Sequence, residues 1–129
     1  MDKQSTILLI DDDEDFIEST KIVLESQSYE IITATSGDEG LTKSRESKPD
    51  LILLDIIMPV ADGFTVAKKL KEDPALAKIP VVMLTSYSSK GAGTGIPRSE
   101  GYELDADDYL NKPVEPAELL NAVKKHLKK

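Results

Sequence analysis

Apolar residues come in short blocks at steady spacing along the chain: "ILLI" at 7–10, "EIITA" at 30–34, "LILL" at 51–54, "VVML" at 81–84 and "DYL" at 108–110. Each block has the length of a β-strand, and Gly, Pro, Asp or Ser bounds most of them. The intervening segments carry a different period. Phe16, Thr20, Val23 and Gln27 recur at helical spacing, as do Phe64, Ala67 and Leu70, and then Leu119, Val123 and Leu127. Strands alternating with helices predict a parallel sheet covered on both faces, and the near-continuous apolar runs fit strands buried on both sides. Pro116 and the terminal lysines punctuate the last helix. The second helix, within "SGDEGLTKS", reads as the weakest, because Gly40 falls in its interior and Leu41 is its main apolar contribution.

One stretch departs from the alternation. "SYSSKGAGTGIPRSEG" (86–101) holds Gly91, Gly93, Gly95, Gly101 and Pro97 where a fourth helix is due. This predicts a surface loop, with at most a short helix near Pro97. The glycines neither continue as G-x-G-x-x-G nor lead into the G-K-[ST] of a phosphate-binding loop, so a nucleotide cradle is not indicated.

Composition narrows the class. The 129 residues fit one domain, and 40% apolar with 31% charged residues suits a soluble globular fold. No apolar run approaches the roughly 20 residues of a membrane span. The start, Met1-Asp2-Lys3-Gln4-Ser5, lacks a secretory pattern and cysteine is absent, which together favour the cytoplasm. A net charge of −8 argues against direct binding to nucleic acid or to an anionic membrane. The sole histidine, His126, sits in "KKHLKK", where the cations suit a helix C-terminus. A multi-histidine metal site and a Ser-His-Asp triad deep in the fold are therefore disfavoured.

In open parallel sheets, ligands bind beyond the carboxyl ends of the strands. Here the first strand ends in Asp11-Asp12, the third in Asp55, the fourth in Thr85-Ser86, and the fifth runs to Lys112 through "YLNKP". Taken singly, an Asp or Ser after a strand commonly caps a helix or closes a turn. Three acids, a hydroxyl and an ammonium at the same end of four strands ask for more. Asp11, Asp12 and Asp55 carry −3 between them, and one Mg²⁺ with Lys112 carries +3. A hard divalent cation held by a few carboxylates answers the repulsion, and such a metal favours a phosphoryl ligand. Asp13, Glu14 and Asp15 instead read as the start of the first helix, whose dipole they suit.

The motifs "ILLIDDDED", "LILLDIIMPVADG", "VVMLTS" and "DADDYLNKP", in this order and spacing, resemble the receiver domain of two-component response regulators over nearly the whole chain, 1–129. The resemblance implies a flavodoxin-like, doubly wound α/β fold with a five-stranded parallel sheet of order 2-1-3-4-5. It implies that Asp55 accepts the phosphoryl group, that Asp12 ligates Mg²⁺ directly and Asp11 through water, and that the backbone carbonyl of Ile57 completes the protein's ligands. Lys112 is expected to pair with Asp55 and then with the phosphate, across a cis bond to Pro113. Thr85 is expected to bind a phosphoryl oxygen and Tyr109 to change rotamer in response, remodelling the surface of the fourth and fifth strands and the last helix. The implied partners are a histidine kinase or histidine phosphotransfer protein and a downstream target or attached output domain. A dimer formed on phosphorylation is compatible with this, and catalysis is limited to the protein's own phosphorylation and dephosphorylation.

Two departures and two rivals accompany the resemblance. The interval from Thr85 to Lys112 is longer than is usual in the family, and the fourth helix is expected to be shortened or replaced by the Gly-rich loop. Asp105 stands where the family usually has glycine. A phosphatase of the haloacid-dehalogenase type could use Asp11 and Asp13 as a D-x-D pair, but its final acidic motif is missing after Lys112, where only Glu115 and Glu118 follow on a surface helix. A degenerate receiver serving as a constitutive binding module is disfavoured because all five chemical positions are filled.

Overall fold

The computed structural model describes residues 5–55, 63–85, 107–111 and 114–127. The elements run β1 (Thr6–Ile10), α1 (Glu14–Glu25), β2 (Glu30–Ala34), α2 (Gly37–Ser47), β3 (Leu51–Asp55), α3 (Gly63–Glu72), β4 (Val81–Thr85), β5 (Asp108–Asn111) and α4 (Pro116–Leu127). All the described strand pairings are parallel, in the order β2-β1-β3-β4-β5. The chain steps from β1 outward to β2, then returns past β1 to β3 and onward. The direction of winding thus reverses between β1 and β3, the point beyond whose carboxyl ends open parallel sheets bind ligands.

Alternate residues of each strand feed opposite faces, which is why the strands read as unbroken apolar runs. Leu8, Ile10, Ile52, Leu54, Val81 and Met83 pack against Leu41 of α2 and Val66, Ala67 and Leu70 of α3. Ile7, Leu9, Leu51, Leu53, Val82 and Leu84 pack against Ile17 and Leu24 of α1 and Leu119, Ala122 and Val123 of α4. Two cores therefore clamp the sheet, and the strand ends between them are held with little freedom.

Helix α1 begins on Asp13, whose side chain accepts hydrogen bonds from the N–H groups of Asp15 and Phe16 at 3.0 and 3.2 Å. Glu14 and Asp15 fill its first turn, as the dipole favours. The periodicity extends this helix to Gln27, but the helix ends at Glu25. Gln27 N–H reaches back to Leu24 O at 3.0 Å, and Ser28 turns to a φ of 69°. The reversal toward β2 takes precedence over the repeat.

Helix α2 shows how a poor helix sequence is held. Each interior glycine costs about 1 kcal/mol relative to alanine. Burial of Leu41 offsets that by about 1.5–3 kcal/mol, and Ser36, accepting from Glu39 N–H at 3.2 Å, adds a cap of about 1 kcal/mol. The expectation that Leu41 is its main contribution is only half of the picture, since Gly37, Gly40 and Ser44 are buried as well.

Glu39 folds back over the start of this helix. Its carboxylate accepts from the Thr35 N–H at 2.8 Å and pairs with Lys43 at 3.1 Å. The hydrogen bond from the Thr35 backbone, followed by that from the Lys43 side chain, holds the Glu39 carboxyl below the ordinary carboxylate range. A depressed folded-state pKa contributes stability above the unfolded value, and that contribution disappears as pH falls through the folded one. The gap in urea midpoint between the wild type and Glu39→Gln should therefore narrow from neutral pH to about pH 3. A gap that stays constant would exclude this role.

Candidate functional site at the carboxyl ends of β1 and β3

Register places the key acids side by side. Ile10 of β1 pairs with Leu54 of β3, so Asp11 and Asp55 follow directly from neighbouring strand residues. The Asp11 N–H donates to Ala34 O of β2 at 3.0 Å, which extends the ladder one residue beyond β1. Asp11 Oδ1 accepts from the Asp13 N–H at 2.9 Å and so helps set the turn into α1. Asp12 stands on that turn. It is exposed, whereas Asp11 and Asp55 are 0% and 3% accessible.

Each of Asp11, Asp12 and Asp55 offers a carboxylate oxygen, and these oxygens lie within 4.8 Å of one another. At that separation two ionised carboxylates repel by about 3 kcal/mol at an effective dielectric constant of 20. A cation held among them reverses the sign. The donors are oxygen only, two buried and one facing solvent, with neither sulfur nor imidazole in the cluster. That set suits a hard divalent ion that keeps part of its hydration shell, and the residues fit Mg²⁺.

The sequence-predicted residues fall into three groups. Asp11, Asp12 and Asp55 come together as expected. The backbone of Thr85 and Tyr109 is described, on β4 and β5: Thr85 follows Leu84, the register partner of Asp55, and Tyr109 pairs with Met83. Their side chains lie outside the described residues, as do Ile57, Asp105, Lys112, Pro113 and the Gly-rich stretch. Asp13, the second acid of the rival D-x-D reading, has its side chain engaged as the cap of α1.

Residue spacing gave no sign of two further roles. His126 Nε2 lies 3.0 Å from Asp108 Oδ2, tying α4 to the first residue of β5 at the end of the sheet opposite the acids. Lys71 Nζ donates to the carbonyls of Ala77 and Ile79 and reaches Asp107, which accepts from the Val81 N–H at 2.8 Å. Both links hold β4 and β5 in place from the end away from the acids. They depend on chain crossings that a linear pattern does not show.

A family model for the response regulator receiver domain matches residues 7–124. The chain belongs to the response regulator receiver family. Response regulator PleD of Caulobacter vibrioides is 39% identical over 118 residues, which is 92% of this chain and 25% of PleD. The other curated relatives it matches include transcriptional regulators of which it spans about half the length. A crystal structure of a putative response regulator from Chloroflexus aurantiacus superposes with a TM-score of 0.86 at 35% identity, covering 98% of this receiver and 100% of that chain. The receiver domain of the sensor histidine kinase PA1611 of Pseudomonas aeruginosa, solved with a magnesium ion coordinated in its active site cleft, has a TM-score of 0.85, covering 98% of this receiver and 100% of that chain. At 23% identity that likeness speaks for the fold alone. Among the described residues of this receiver, no helix is long and apolar enough to cross a membrane.

Proposed function

We propose that this receiver is a phosphorylation-controlled relay unit spanning 1–129, with Asp55 as the phosphoryl acceptor. The observation that carries the reading is the convergence of Asp11, Asp12 and Asp55 at the point where the sheet reverses its winding. An Asp55 carboxylate oxygen attacks the phosphorus of a phosphohistidine on a kinase or phosphotransfer protein. The P–N bond breaks, the imidazole leaves with the bonding pair, and an aspartyl phosphate remains. Asp12, Asp55 and the carbonyl of Ile57 would hold Mg²⁺, with Asp11 acting through water, and the ion would supply neutralisation of phosphoryl charge.

The chain's own groups do the rest. Lys112 pairs with the Asp55 carboxylate before transfer and with the phosphate after it, and the Thr85 hydroxyl donates to a phosphoryl oxygen. Replacing one carboxylate charge by a phosphate of about −2 leaves the site roughly one unit more negative, which draws both groups inward. Tyr109 follows into the space left by Thr85. The surface formed by β4, β5 and α4 then differs between two states whose populations phosphorylation shifts.

A downstream protein or an attached output domain reads that surface, in the cytoplasm. The excess of acids disfavours direct contact with nucleic acid or an anionic membrane. Incubation with acetyl phosphate and Mg²⁺, followed by intact-mass analysis, should show a single added phosphoryl group, and EDTA should prevent it. Steady hydrolysis of a phosphomonoester that requires Asp11, with no lasting adduct, would point to the phosphatase reading instead.

A further inference from the structure

Gly40 of α2 lies against Ile10, the strand residue that leads into Asp11 and Asp12. A Cβ built on Gly40 would overlap Ile10 Cδ1, and would stand 2.8 Å from its Cγ1 and 3.2 Å from its Cγ2. Real Cβ atoms essentially never approach so closely, so a side chain at position 40 requires the Ile10 side chain, the helix or the strand to shift. The helix is held in this contact from both sides of Gly40. Its N–H donates to Ser36 O at 2.9 Å, and its carbonyl accepts from the fully buried Ser44 hydroxyl at 2.8 Å.

Ile10 is equally constrained. It is fully buried, and its register partners are Ala34 on one side and Leu54 on the other. Leu54 is the residue before Asp55. Ile10 is packed among Leu8, Ala34, Leu41 and Leu54 in the same core, and its backbone leads directly into Asp11 and Asp12.

Resting on the receiver reading, we propose that Gly40 and Ile10 form a size-matched pair that positions the acidic triad: the absent side chain at 40 is what admits the full isoleucine at 10, and together they set the spacing of Asp11 and Asp12 from Asp55. Gly40 is a positioning residue that touches no ligand. This accounts for a glycine in the interior of a helix that gains nothing from it in propensity. Alanine is the better helix former, so a loss on Gly40→Ala cannot come from the helix itself.

The test is direct Mg²⁺ titration by calorimetry on four proteins: wild type, Gly40→Ala, Ile10→Val and the double variant, with urea midpoints measured without metal. Gly40→Ala should weaken Mg²⁺ binding about 10-fold, the scale on which groups behind a metal ligand act. Ile10→Val should weaken it about threefold, through a void instead of an overlap. The double variant removes the Cδ1 atom that the added methyl group would strike first and leaves the Cγ1 contact at 2.8 Å, so it should bind Mg²⁺ more tightly than Gly40→Ala alone, a coupling that independent sites do not show. Should Gly40→Ala fail to fold, the Ile10→Val and double variants decide the matter alone. A fall in urea midpoint with unchanged Mg²⁺ affinity overturns the positioning role, and so does a double variant weaker than both single ones. A wild type that takes up no Mg²⁺ overturns the receiver reading itself.

Discussion

Asp55→Asn should end phosphoryl incorporation while leaving a folded protein. The carboxamide keeps the shape of a residue that is 3% accessible, so the cores on either side of β3 need not repack. It loses the anionic oxygen that attacks phosphorus, and its neutral oxygen is a poor nucleophile. Without metal, removing one of three clustered charges relieves repulsion but also takes the carboxylate partner from Lys112, and the opposing changes should leave the urea midpoint close to that of the wild type. Intact mass after acetyl phosphate treatment and a denaturant curve without Mg²⁺ check both halves. An adduct that persists at full stoichiometry would remove Asp55 from the acceptor role, and a much lower midpoint would show that the Asp55 carboxylate is held by attraction that outweighs the repulsion among the acids.

Asp12→Ala should produce the other large effect, a loss of Mg²⁺ affinity of at least about 100-fold, and phosphorylation should be lost with it. Asp12 is exposed, so truncating it leaves no cavity. The expected signature is lost metal binding at unchanged or improved stability. Glu14→Ala is the natural control. Glu14 lies in the first turn of α1, and its removal should cost only the roughly 0.3–1 kcal/mol of a helix-dipole interaction, with Mg²⁺ titration unaltered. Equal losses from the two substitutions would mean that bulk negative charge, rather than a defined ligand set, attracts the metal.

These contrasts separate acids that the sequence presents as one run. Asp11 to Asp15 are consecutive, yet Asp11 is buried and extends β1, Asp12 stands exposed on the turn, Asp13 caps α1, and Glu14 and Asp15 load its first turn. The division into a metal half and a helix half is legible in the chain, because a strand end and a helix start each impose their own chemistry on the residues there. Gly40 is visible too, but with the wrong meaning. It reads as a weak point of its helix, whereas in the fold it is the point of closest approach to the strand behind the triad.

Local pattern was enough for the number of strands, their alternation with helices, and the strand ends at which the acids collect, and the order of the strands in the sheet came from the family resemblance. Strand length and apolar alternation are local properties, and each acid follows its strand within one or two residues. The three-dimensional arrangement was needed to place Asp11 beside Asp55, to seat Ile10 against Gly40, and to show His126 and Lys71 tying the starts of β5 and β4 to α4 and α3. Those relations depend on the register between strands and on the distance from helix to sheet, which packing against distant segments sets and no local pattern encodes.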